Sequence, residues 1–152
     1  MIYENIKRDM NIALKANNKL ERLVLADMAA AIEKGATAGK VRVEITDQMA
    51  EDALIKYKKT VQEMIDTCPD TEQYAERRAE HIARMEIVKQ YAPEIIEDPT
   101  AIENLIREII SNNGIEIDIK NKGKIMKVVM PELKQKRCDM KIAQEILTKL
   151  FN

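Results

Sequence analysis

The chain has 152 residues, of which 45% are hydrophobic and 34% charged, with a net charge of −1. That balance can fill a core and keep a wet surface, so it excludes wholesale disorder and allows one medium domain or two small ones. Two distant cysteines, Cys68 and Cys138, and a single histidine are too few for a zinc site, which takes about four ligands.

The N-terminal MIYENIKRDM has no apolar run of signal-peptide length, and no stretch approaches the roughly 20 apolar residues of a membrane span. A soluble chain in a reducing cytoplasm, with no membrane partner, is the expectation. Four Gly and four Pro are few for an all-β chain, and the abundant Ala, Glu, Lys, Ile, Leu and Met favour helices. The fold class expected is all-α.

Ile2, Ile6, Met10 and Ala13 recur at helical spacing, and Asn17-Asn18 breaks the pattern. Leu20, Leu23, Val24, Met28, Ala31 and Ile32 mark a second helix that stops at Gly35. Residues 35–45 read as a loop. Val41, Val43 and Ile45 alternate there, but a sheet would need strand partners that the rest of the chain does not offer.

Thr46-Asp47 gives an N-cap signal for a long helix. Met49, Ala53, Tyr57, Val61 (or Thr60), Met64 and Cys68 lie about one turn apart on what reads as its inner face, and Pro69 ends it. Asp70 or Thr71 caps the next helix, with Ala75, Ala79, Ile82, Met85 and Tyr91 inward. The two, over 46–68 and 71–91, should form an antiparallel hairpin with a highly charged outer face.

Pro93 and Pro99 bracket an acidic turn and mark the expected boundary between a helical N-terminal domain, 1–93, and a small three-helix domain, 99–152. The first of these three helices carries Ile102, Leu105, Ile106, Ile109 and Ile110 and stops at Asn113-Gly114. The second, about 121–136, turns Ile125, Val129 and Leu133 inward and should be kinked or split at Pro131. The third carries Ile142, Ala143, Ile146, Leu147 and Leu150. Charge reverses at the boundary: residues 1–98 hold 15 Lys+Arg against 19 Asp+Glu, and residues 99–152 hold 10 against 7.

Asp9-Met10, Ala13-Leu14-Lys15-Ala16, Leu20-Glu21-Arg22-Leu23, Met28 and Ala30-Ala31-Ile32 form one series of short matches. Ile45-Thr46-Asp47, Glu86-Ile87 and Tyr91-Ala92-Pro93 follow. Gly123-Lys124-Ile125-Met126, Met130-Pro131, Leu133-Lys134 and Asp139 close the series. In this order they resemble the YqeY-like family, whose C-terminal part is related to the tail domain of the GatB and GatE subunits of tRNA-dependent amidotransferases. The resemblance implies an all-α structure with a three-helix C-terminal domain. In amidotransferases the related tail domain helps hold the tRNA. Two glycines usual in the family are replaced around Lys134-Gln135 and Asp139-Met140.

Catalysis has little to rest on. The amidase chemistry of those complexes needs a serine assisted by a second serine and a lysine. This chain has one serine, Ser111, at a helix end where a capping role is natural. No GxxxxGK[ST] loop for ATP is present. His81, flanked at helical spacing by Arg77 and Arg84, reads as a surface histidine. Cys138, among Lys136, Arg137 and Lys141, reads as an incidental thiol whose pKa those bases could lower. The methionines fit core positions better than a peptide groove. No catalytic residue, metal ligand or cofactor is assigned.

The basic run over residues 120–141 remains, with eight Lys+Arg against Glu132 and Asp139. Lys120, Lys124, Lys127 and Lys134 share one helical face by spacing, opposite Ile125, Val129 and Leu133. A convergent basic face attracts phosphates, although any solvated helix also needs a charged exterior. With the resemblance, the candidate RNA contacts are Lys120, Lys122, Gly123, Lys124, Lys127, Lys134, Lys136, Arg137 and Lys141. Few aromatics point to shape-based contact with folded RNA such as tRNA. The alternative is a helical protein–protein interaction module without RNA binding. An amidotransferase-like carbon–nitrogen ligase is the least favoured reading.

Overall fold

The computed structural model describes residues 1–151. The fold is all-α. Its helices are α1 (Ile2–Lys15), α2 (Lys19–Ala36), α3 (Asp47–Thr67), α4 (Ala75–Lys89), α5 (Pro99–Asn112), α6 (Lys122–Gln135) and α7 (Met140–Leu150). Short 3₁₀ turns, Glu72–Tyr74 and Ile119–Asn121, precede α4 and α6. Among the described residues there is no strand, only one isolated parallel bridge between Ile96 and Cys138.

Short polar side chains start α2, α3, α5 and α7. Asn18 Oδ1 accepts from the Glu21 N–H while its Nδ2 donates to Glu21 Oε2, a reciprocal cap on α2. Thr46 Oγ1 accepts from the Met49 N–H, Asp98 Oδ1 from Thr100 beside Pro99 at the first turn, and Asp139 Oδ1 from Lys141 and Ile142. Each such cap contributes about 1 kcal/mol.

Three helices end in one motif. Asn18 donates to Ala13 and Asn17 to Leu14 after α1. Ile115 donates to Ile110 and Gly114 to Ser111 after α5. Cys138 donates to Leu133 and Arg137 to Lys134 after α6. The turning residue sits left-handed in each, with φ of 57° at Asn17, 62° at Gly114 and 57° at Arg137. Glycine is the cheapest residue there, asparagine the next, and a long side chain such as arginine the costliest.

The chain divides into two compact units, Met1–Pro93 and Glu94–Asn152. In the first, Ile6 and Ala13 of α1, Val24, Leu25, Met28 and Ile32 of α2, Leu54 and Val61 of α3, and Met85 and Val88 of α4 form one core. α3 and α4 run antiparallel: Arg78 reaches the Cys68 carbonyl, and Arg84 reaches Tyr57.

The inner faces of this hairpin differ from the sequence expectation. Ala50, Leu54 and Val61 are the buried residues of α3, with Tyr57 and Ile65 packed against the core. Met49 and Met64 are only half-buried. On α4, Ala75, Ala79 and Ile82 are exposed, while Arg84 and His81 turn partly inward. The Arg84 side chain is 11% exposed; its Nη1 donates to Asp27 Oδ2 at 2.7 Å and Tyr57 Oη at 2.9 Å. His81 is half-buried rather than fully exposed. Its Nδ1 is shielded from solvent and has no hydrogen-bond partner among the described residues.

In the second unit α5, α6 and α7 enclose a core of Ile102, Ile106, Ile109, Ile110, Ile125, Val129, Leu133, Cys138, Ala143 and Leu147. Fully burying each large aliphatic side chain stabilises by about 1.5–3 kcal/mol. Pro131 does not split α6, which runs unbroken from Lys122 to Gln135. Its ring is exposed, so the backbone bond that proline cannot make is lost on the solvent side, where water can replace it.

Residues 94–98 belong to this second unit. The Ile96 N–H donates to the Arg137 carbonyl at 3.0 Å, and its carbonyl accepts from the Asp139 N–H at 2.9 Å. Glu94, Glu97 and Asp98 thus move to the C-terminal side of the ledger. The second unit carries 10 basic and 10 acidic residues, and the first 15 and 16. The charge reversal between halves disappears, and what remains is a local segregation around α6.

Candidate nucleic-acid interface

α6 buries Ile125, Val129 and Leu133 completely. Their spacing of four puts them on one stripe of the helix. At 100° per residue, Lys124, Lys127 and Lys134 fall on the opposite side with Pro131, and all four are exposed. The three lysines form no ion pair among the described residues. They are the part of the expected basic face that the helix brings together.

Lys120 lies outside α6, in the exposed 3₁₀ turn Ile119–Asn121 that precedes it. Its backbone N–H donates to Asp118 Oδ1 at 3.2 Å. Lys122 opens α6 with its ammonium 5.9 Å from the centroid of the Phe151 ring, a distance at which cation–π attraction acts. Gly123 is exposed in the first turn, and nothing lies within 4 Å of where a Cβ would be. No close backbone approach demands a glycine here.

Lys136 caps the C-terminal end of α6, Arg137 takes the left-handed position, and Lys141 lies in the first turn of α7. The backbone pairing of Ile96 with Arg137 and Asp139 lays the acidic run 94–98 beside this end. Lys136 and Arg137 therefore stand in a mixed field, whereas Lys124 and Lys127 lie toward the other end of α6.

Cys138 departs from expectation. It is buried beside Leu133, and its thiol pKa is raised: desolvation outweighs the lowering effect of Lys136. A reactive thiolate is not what this site favours. Ser111 lies in the last turn of α5, with its carbonyl accepting from the Gly114 N–H. Among the described residues no group of three or more His, Cys, Asp and Glu is placed to hold a metal. None of their helices is long and apolar enough to cross a membrane.

The second unit thus presents a three-helix core with one lysine face on its middle helix. No curated protein matches the chain. The family model described as Yqey-like protein matches residues 3–151. That match runs through both units, from the first turn of α1 to the end of α7, and the chain belongs to the Yqey-like protein family.

Proposed function

We propose that this protein is a non-catalytic accessory module that contacts tRNA or another folded RNA through the lysine face of α6. One observation carries the reading: Lys124, Lys127 and Lys134 project together from the side opposite a fully buried stripe, outside any ion pair among the described residues. Phosphates can take the place of the water and counterions around them. The resemblance to the amidotransferase tail domain supports folded RNA as the class of ligand. A rigid helix with spaced ammonium groups suits the backbone of a folded RNA better than splayed bases.

The test is an anisotropy titration of the full chain against bulk tRNA at two salt concentrations. Affinity should fall with salt by roughly 0.7–0.9 log units per log unit for each phosphate neutralised. Lys124→Glu, Lys127→Glu and Lys134→Glu together should remove most of the binding. Lys7→Glu, Lys15→Glu and Lys19→Glu, all exposed in the first unit, should leave it nearly intact. No binding by the wild type at low salt, or equal binding by both triple variants, refutes the reading.

A second reading, a protein–protein interaction module, draws on Ile12, Leu14 and Leu23. All three are exposed near the α1–α2 turn. Aliphatic side chains in that setting suit a protein surface rather than RNA.

A further inference from the structure

Residues 42–46 run without helix, turn or bend between α2 and α3, directly after a bend at Val41. Val41 and Val43 are 75% and 51% exposed, while Ile45 packs against the core of the first unit. In an extended chain, the N–H and C=O of successive residues point to opposite edges. The Val43 N–H points inward and donates to the Ala36 carbonyl at 3.0 Å. On an extended course the backbone groups of Arg42 and Glu44 face the edge opposite this bond. Among the described residues they join no backbone hydrogen bond, and their side chains form no ion pair.

The sequence of this edge, Val41-Arg42-Val43-Glu44-Ile45, complements itself. Laid antiparallel on a second copy and centred on Val43, it sets Arg42 opposite Glu44 in both directions. Val43 meets Val43, and Val41 meets Ile45. The register also fits the hydrogen bonds. Val43 becomes a non-bonded pair, as its inward N–H requires, and Arg42 and Glu44 exchange both ladder bonds across the two-fold axis. Opposite charges facing one another and β-branched pairs on the other face both favour strand pairing. A parallel or shifted register loses the charge match.

We propose that residues 41–45 form a self-complementary edge through which two copies of this chain pair as an antiparallel two-stranded ribbon. The contact is isologous, so it closes at the dimer and does not propagate. Five residues per copy bury less than the roughly 1,200 Å² of a stable interface, so the dimer is a weak, exchanging one.

The experiment is sedimentation velocity with the full chain from about 10 µM to about 1 mM, concentrations that populate a weak dimer. An amide NMR concentration series runs beside it. The weight-average mass should rise toward the dimer, and the shifts that move should cluster at 41–45. Arg42→Glu and Glu44→Arg, each placing like charges opposite one another twice, should each weaken association by roughly tenfold or more. The double swap should return it to near the wild-type value. Circular dichroism should be unchanged, since both side chains are exposed. A monomeric mass throughout, an Arg42→Glu variant that associates like the wild type, or a double swap that stays weak would each overturn the proposal. None of these results bears on RNA binding through α6.

Discussion

Removing Asp27 should cost the fold more than removing Arg84, although the two form a single ion pair. The reason is their unequal exposure: 11% for the Arg84 side chain and 43% for Asp27. Asp27→Ala leaves a guanidinium in the cleft among α2, α3 and α4 with only Tyr57 as partner. Its Nε has no hydrogen-bond partner among the described residues even in the wild type. Breaking a fully buried pair costs about 3–5 kcal/mol; with one partner open to water, roughly 2–3 kcal/mol is expected. Arg84→Met keeps most of the aliphatic stem and leaves Asp27 hydrated, with Tyr57 Oη still 3.4 Å from Asp27 Oδ2. About 1 kcal/mol or less should be lost. Urea unfolding at pH 7 with a common m-value gives both numbers, and the double variant closes the cycle. If Arg84→Met is the costlier substitution, the pair stabilises by its own attraction and the desolvation argument is wrong.

The bond from Tyr91 Oη to Asp9 Oδ2, 2.8 Å long, should shape stability at both ends of the pH range. Burial, then the Asp9 carboxylate, pushes the Tyr91 pKa up to about 12 from its ordinary 10.0. Its contribution is therefore whole below pH 10 and lost as pH rises toward 12. The Tyr91 hydroxyl, more than Arg8, lowers the Asp9 pKa, so that contribution is present above the ordinary carboxylate pKa of 3.8 and lost on acidification below it. Tyr91→Phe should remove the alkaline slope and reduce the acid one, Arg8 remaining beside Asp9; denaturant midpoints of the two proteins that stay parallel across pH would show the bond to be idle. Arg137→Gly should stabilise by about 1 kcal/mol and Asn17→Gly by less, because asparagine already tolerates the left-handed turn. Gly114→Ala should destabilise by a similar amount, and thermal melts that rank the three otherwise would refute the end-motif reasoning.

Helix positions were legible because the apolar period and the caps agree, as at Asn18, Thr46 and Asp98. The buried face of α3 was legible in part. Ala53, Tyr57 and Val61 of the expected stripe pack on the core, but Met49 is only half-buried, because steps of four advance a helix by about 400° and drift by about 40° each. Ala50, Leu54 and Ile65, which also face the core, were missed. On α4 the inward residues include a charge. Arg84 reads as surface in sequence because its partner, Asp27, lies 57 residues away. Cys138 failed for the same kind of reason. Its sequence neighbours are bases, but its spatial neighbour is Leu133, and desolvation outweighs the bases.

Of the candidate site, the α6 stripe was legible because Ile125, Val129 and Leu133 fix the rotation of the helix and so the direction of Lys124, Lys127 and Lys134. Lys120 lies in the 3₁₀ turn before α6, so the buried stripe of α6 does not itself fix its direction. The electrostatic contrast between halves depended on where residues 94–98 belong, and two prolines in sequence suggest a linker. The Ile96 backbone, paired with residues 41 and 43 positions away, places them in the second unit. A neutral unit can still attract RNA, since screening at physiological salt cuts the reach of a surface charge to about 8 Å. Within that distance a phosphate near Lys124 and Lys127 feels the local lysines more than the acids beside Arg137. The useful contrast is therefore along α6 rather than between units: charge reversal at Lys124 and Lys127 should weaken RNA binding more than reversal at Lys136 and Arg137. Equal losses at both ends would mean that net charge, and not the helix face, is what RNA senses.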